Sequence, residues 1–342
     1  MKLTLSEISD YVNGQVIGDK KLLIEGVSEI QDSRVSTVTF LSNPIYKKYL
    51  EKTKSSAILV KSAELLGNRS GIVVENPQLA MAKTLELFSP KRITEKNIHF
   101  SANISSKSTI GDDVSIGPGV ILMSGSIIKN GSHIGANTFI GENVVVGFNS
   151  VIHPNVTIYE DTLIGDYTII HSGTVIGCDG FGYVINKDSN YKIPQTGKVE
   201  IKNNVEIGSN CSIDRGTIGN TIIEEGSKLD NLIQIAHNVK IGKNCLIASQ
   251  VGISGSTFIG DSCTFAGQVG VAGHLKIGSS STFAAKSGVT KSLEGGKTYA
   301  GFPAREIKEH NKRQAVLNKF GKKYFTLNNK KWFVVLFESG LY

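Results

Sequence analysis

A chain of 342 residues with 40% hydrophobic and 20% charged residues has apolar content enough for more than one domain and is not low-complexity. No run approaches the 18 apolar residues of a membrane span. The opening "MKLTLSEISDYV" lacks a signal-peptide core, and four scattered cysteines without a CxxC pair (178, 211, 245, 263) suit free thiols in a reducing cytoplasm. The formal charge of +7 is uneven: residues 303–342 hold nine Lys/Arg and three Glu, 9 − 3 = +6. That excludes a basic, nucleic-acid-binding body and points to an acidic partner at the C-terminal segment.

Residues 1–96 read as a small α/β domain. Thr4, with Glu7 three residues on, predicts a capped helix in "TLSEISDYV". "TVTFLS", "SAILV" and "GIVVE" predict strands, and "QLAMAKTLELF" a second helix. Within "FLSNPIY" (40–46) the residues themselves suggest Phe40 as a core strand residue and Asn43 as the N-cap of a turn starting at Pro44, with Tyr46 just beyond.

From residue 97 the pattern changes. Counting in sixes from Ile98 to Ile176, all fourteen positions are aliphatic, with Leu122 and Val146 the only departures from Ile. The beat resumes at Ile201, Ile207 and Ile213, slips through two five-residue steps at Ile218 and Ile223, and runs from Leu229 to Val289. A helix needs spacings of three and four, and a half-buried strand needs alternation. A period of six suits neither; it predicts a hexapeptide parallel β-helix in which three hexads close one coil. About ten coils at about 4.8 Å each make a prism roughly 45–50 Å long. Glycine often follows the aliphatic (111, 117, 135, 141, 147), as a tight corner would ask. The fold predicted for 97–300 is therefore mainly β. The stretch 177–200, "GCDGFGYVINKDSNYKIPQTGKVE", interrupts the beat and predicts a loop outside the prism; its G-x-G is no dinucleotide fingerprint because no helical pattern follows.

Several residues stand out along the prism. His237 falls two past the axial Ile235, which puts it on an exposed strand side or corner, either as a surface histidine bonded to backbone or as a base. His274 lies two 18-residue coils plus one further on, nearly in the same column and roughly 10 Å along the axis. Gly255 lies one coil below His237, and Asp230 precedes it by seven, on the preceding face. His153 and His171 are 18 apart and stack one coil apart; a third metal ligand is not evident, so no metal is expected. Residues 301–342 form the C-terminal extension: "PAREIKEHNKRQAVLNKF" predicts a helix beginning at Pro303, and "WFVVLF" a strand or packing strip.

Three segments together, "FLSNPIYKKYL" (40–50), "GCDGFGY…YKIPQTGKVEIKNNVEIGSNCSIDRGTIGNTII" (177–223) and "LDNLIQIAHNVKIG" (229–242), closely resemble the UDP-3-O-acylglucosamine N-acyltransferases of lipid A biosynthesis. The likeness runs to about residue 318; residues 320–342 depart from the family's charged helical end. The resemblance implies cytoplasmic homotrimers of left-handed β-helices, with an N-terminal uridine-binding domain and C-terminal helices. It implies transfer of an (R)-3-hydroxyacyl group from acyl carrier protein to the 2-amine of UDP-3-O-acylglucosamine. No resident cofactor is expected, since the donor rides on the carrier's phosphopantetheine.

By the same resemblance His237 is the general base, a role for which imidazole has the right affinity for protons, and the Gly255 N–H is the oxyanion donor. His274 contacts substrate or pantetheine. Asp230 is a catalytic candidate from its position alone: on the preceding face, its pairing with His237 in the same chain is not obvious, and a neighbouring chain of a trimer is the alternative source. Phe40 and Tyr46 sandwich the uracil while Asn43 reads its edge. Three readings compete: the sister O-acyltransferase acting on UDP-N-acetylglucosamine, a metal-dependent hydratase of the same fold, and a non-catalytic solenoid scaffold. The N-terminal domain and the 177–223 signature argue against the first, and His237 against the last.

Overall fold

The structure, a computed structural model, describes residues 2–89 and 97–325. The chain divides into two compact units, 1–93 and 94–342. In the first, Thr4 and Glu7 form the expected reciprocal cap on the helix Leu5–Val12. A five-stranded sheet contains the strands Thr37–Phe40, Ala57–Val60 and Gly71–Val73 as parallel neighbours. The helix Pro77–Phe88, capped by Asn76, helps bury its core with Val38, Leu59 and Ile72.

The second unit is a parallel β-helix with three faces. The first begins at Asn103–Ile104 and has ten strands; the second begins at Thr109–Ile110 and has nine; the third begins at Ser115–Ile116 and has eleven. Each strand is only two to four residues, because each hexad must also turn a corner. The six-residue beat is the inward column: Ile116, Ile134, Ile152, Ile170, Ile207 and Leu229 pair in register down the third face. All are buried, and each such side chain contributes about 1.5–3 kcal/mol of transfer free energy. A second inward column, four residues after the first, carries small residues such as Ser132, Ser150, Thr168, Thr174, Cys245 and Cys263. Its hydroxyls donate to carbonyls of the next coil, as Ser132 Oγ does to Gly147 at 2.6 Å. The four cysteines are free.

The glycines after the aliphatic have a different cause from the one expected. The left-handed residue of each corner comes two places later and is usually Asn, Asp, Ser or Gln; Asn and Asp, as at Asn137, Asn143, Asn149 and Asp161, tolerate this region better than most side chains. The glycines themselves are needed because successive coils touch there: a Cβ on Gly135 would fall 2.4 Å from the Pro154 nitrogen.

Two corners depart from the beat, and both join the first face to the second. After Val175–Cys178 the chain leaves the prism as a β-hairpin, Tyr183–Asn186 with Ser189–Lys192, and returns at Val199–Ile201; the expected loop thus has regular structure. One coil later, Ser212–Asp214 and Thr221–Ile223 are joined by a widened corner. Ile218 lies in that corner, 86% exposed, and is not an axial residue; the two five-residue steps are one enlarged turn.

At the far end the third face continues past residue 300. Thr298–Ala300 adds in parallel and Arg305–Glu306 closes antiparallel to it. The helix follows as Ile307–Phe325, four residues later than expected, because Pro303 lies in the turn before that strand. "WFVVLF" lies outside the described residues.

Candidate active site

His237 sits at the corner after the first-face strand Gln234–Ile235, on the same edge of the prism as the hairpin and the widened corner above it. Its half-buried ring is held between two glycines. A Cβ on Gly180, at the hairpin base, would fall 2.6 Å from His237 Cβ, and one on Gly255, in the next coil, 2.6 Å from both Cε1 and Nε2. No side chain fits at either place without moving the ring. His237 Nδ1 lies 3.1 Å from Asn238 Oδ1, and that oxygen accepts the Thr217 N–H from the widened corner at 3.0 Å.

The backbone around the ring is arranged by the coil ladder. Ser256 N–H donates to the His237 carbonyl, and His274 N–H to that of Gly255. Among the described residues no backbone acceptor for the Gly255 N–H is found outside the strands. His274 is exposed and takes the left-handed corner position, φ 59°, in the column of Asn238 and Ser256.

Beside His237 lies a buried carboxylate that sequence reasoning missed. Asp214, 7% exposed, accepts from Gln234 Nε2 at 3.0 Å and from Cys178 Sγ at 3.4 Å. Burial pushes its carboxyl above the ordinary range, against those donors and the positive field of the His237 ring. Burial likewise raises the Cys178 thiol. Gln234 also opens a groove that descends the first face past Ala236, Gly252, Gly270 and Gly288 to Phe302. At Gly252 and Gly270 a Cβ would meet nothing, whereas at Gly288 it would strike the Phe302 ring, which seals the groove's lower end.

The structure does not bring Asp230 to this site within one chain. It follows Lys228–Leu229 of the third face, on another edge of the prism. Its carboxylate is occupied there, accepting from the Asn231 N–H and side-chain amide and from the Ser249 N–H. It faces a separate groove with His171 and Glu206. His153 and His171 stack as expected, centroids 4.7 Å apart, and His171 Nε2 meets Glu206 Oε1 at 3.3 Å. No three His, Cys, Asp or Glu side chains converge as metal ligands among the described residues.

In the other unit, Phe40 ends its strand half-buried against the core. Asn43 caps the turn Pro44–Tyr49, its Oδ1 accepting from the Ile45 N–H at 3.0 Å, which leaves its amide NH₂ available. Tyr46 is exposed, with Tyr49 6.3 Å away. No described helix is long and apolar enough to cross a membrane.

Short parallel strands around an aliphatic axis, with one corner opened over a histidine and a groove, define a hexapeptide-repeat acyltransferase. The profile described as bacterial transferase hexapeptide (six repeats) matches residues 107–142, 143–178 and 220–255. The profile of the UDP-3-O-(3-hydroxymyristoyl) glucosamine N-acyltransferases matches residues 21–87. The chain is 51% identical over 331 residues to the UDP-3-O-acylglucosamine N-acyltransferase of Chlorobium chlorochromatii (strain CaD3), covering 93% of this chain and 92% of that one. To the protein of the same name from Geobacter sp. (strain M21) it is 56% identical over 257 residues, 75% of this chain and 74% of that one. The chain belongs to the UDP-3-O-acylglucosamine N-acyltransferase family.

Among solved structures it is similar to the Arabidopsis UDP-N-acetylglucosamine acyltransferase, with a TM-score of 0.56 and 26% identity over 64% of this chain and 77% of that one. The UDP-N-acetylglucosamine O-acyltransferase of Moraxella catarrhalis RH4 gives 0.50 and 25%, over 72% and 86%.

Proposed function

We propose that this acyltransferase moves an (R)-3-hydroxyacyl group from the phosphopantetheine thioester of acyl carrier protein to the 2-amine of UDP-3-O-(3-hydroxyacyl)-glucosamine. The product is UDP-2,3-diacylglucosamine, an intermediate of lipid A synthesis, formed in the cytoplasm by a homotrimer. The observation that carries this reading is the placing of the His237 ring against Gly255. As the amine nitrogen attacks the thioester carbon, the imidazole takes its proton, and the Gly255 N–H holds the charge gathering on the carbonyl oxygen. The C–S bond then breaks, and the imidazolium returns the proton to the departing thiolate. The groove from Gln234 to Phe302 suits the donor's acyl or pantetheine arm, with exposed His274 along its flank. Phe40 and Tyr46 clamp the uracil and the Asn43 amide reads its edge. In a trimer Asp230 joins the site only as a neighbouring chain's residue. The basic helix, with Lys308, Lys312, Arg313 and Lys319, suits an acidic carrier.

Incubation with UDP-3-O-acylglucosamine and hydroxyacyl carrier protein should yield, by mass spectrometry, the N-acylated product. His237→Ala should lower kcat by about 10²–10⁴-fold without loss of fold. A product acylated on oxygen, or an alanine variant with near-normal kcat, would refute the assignment.

A further inference from the structure

We infer that Asn238 holds the proton of the neutral His237 ring on Nδ1, leaving Nε2 as the basic nitrogen, and that the widened corner at 214–220 exists to hold Asn238. This rests on the reading of His237 as the general base.

The argument starts from a donor whose identity is not in question. The Thr217 backbone N–H points at one atom of the Asn238 amide from 3.0 Å. A backbone N–H can only donate, so that atom is the amide oxygen; the opposite orientation would set donor against donor. An amide oxygen can only accept. His237 Nδ1 lies 3.1 Å from the same oxygen, so in the neutral ring Nδ1 carries the hydrogen and Nε2 the lone pair. Nε2 is one of the two ring atoms nearest Gly255, where a Cβ would approach both Nε2 and Cε1 to 2.6 Å.

Asn238 is itself held on several sides by the enlarged turn. Its own N–H donates to Thr221 Oγ1 at 2.9 Å. A Cβ on Gly216 would strike the Gly219 carbonyl first and also fall 2.9 Å from Asn238 Nδ2, so glycine there lets the turn close beside the amide. The extra residues of 214–220 thus do for the ring what a buried carboxylate does in other base-and-orienter pairs, without adding a charge. Asp214 remains the charged group facing His237, and it is unchanged in the variants below.

The test is ¹⁵N NMR of histidine-labelled protein, with the His237 signals assigned from their loss in His237→Ala, read beside kcat, both KM values and the pH profile. Wild type should show a protonated Nδ1 and an unprotonated Nε2 in the neutral ring. Asn238→Gly keeps the left-handed corner, φ 60°, and removes the amide. It should give a mixed tautomer and a kcat at least about tenfold lower, with both KM values and the melting temperature nearly unchanged. Asn238→Asp offers a carboxylate to the same two N–H groups. It should restore the Nδ1–H tautomer and most of kcat, while the anion beside the ring raises its proton affinity and moves the acidic limb of the kcat profile to higher pH.

A neutral ring protonated on Nε2 in wild type would overturn the inference, as would an Asn238→Gly variant with unchanged kcat. Failure of the base assignment is distinguishable, since it would appear in His237→Ala as retained turnover. If Asn238→Gly did not fold, the wild-type spectrum and Asn238→Asp would still decide.

Discussion

Asp214 is buried at the edge where the reaction is proposed to occur, and its carboxyl has a raised proton affinity because burial outweighs its two donors. Between the ordinary value of 3.8 and the raised one, the folded chain binds more protons than the unfolded chain. Stability therefore falls as pH rises through that window, and above it the ionised group remains destabilising. Asp214→Asn, which keeps an oxygen for Gln234, should raise the melting temperature at neutral pH, and the gain should shrink as pH falls toward 3.8. An equal or lower melting temperature at pH 7 would show that the carboxylate is compensated in a way its two donors do not reveal. The same neighbourhood shows what can be read from a chain at this scale. His237 stands out as one basic ring set between beats of the aliphatic ladder, and Gly255 through the family resemblance, one coil below it. Asn238 and Asp214 do not, since Asn is common at left-handed corners and Asp is common everywhere. What distinguishes them is the Thr217 N–H and the Cys178 and Gln234 side chains, which no spacing connects.

Among the elements, the two interruptions of the repeat were unequally legible. The hairpin insertion was visible because 24 residues of turn-rich sequence, 177–200, cannot hide in a period of six. The smaller enlargement was misread because Ile218 supplied an aliphatic at a plausible step, although its side chain is solvent-exposed; a composition count has no means of asking which way a residue faces. The groove under His237 was less legible: Gly252, Gly270 and Gly288 precede the axial residue instead of following it, but the open space where a Cβ would go at Gly252 and Gly270, and the ring at Gly288, show only in the structure. That ring gives the element-scale prediction. Phe302 is 79% exposed, so Phe302→Ala should cost little stability. If the donor's acyl chain runs down the groove, the variant should shift kcat/KM toward longer chains. A chain-length profile identical to that of wild type would place the acyl group elsewhere.

At the scale of the whole molecule, light scattering should give a trimer's mass, and a value of 36.8 kDa would contradict the proposed assembly; the groove holding Asp230, His171 and Glu206 is a face such an assembly could cover. The aliphatic ladder was the most legible feature of all, since one residue type every six positions leaves little else to build. Such a ladder has no inherent stopping point: each coil presents a complete set of backbone donors and acceptors to whatever follows it. Here the third face ends differently, because Arg305–Glu306 runs antiparallel to Thr298–Ala300. A reversed strand offers a hydrogen-bond pattern that another parallel coil cannot match, and it puts charged side chains on the edge. The last described turn of the prism therefore leaves, on this face, an edge that a further parallel coil does not match.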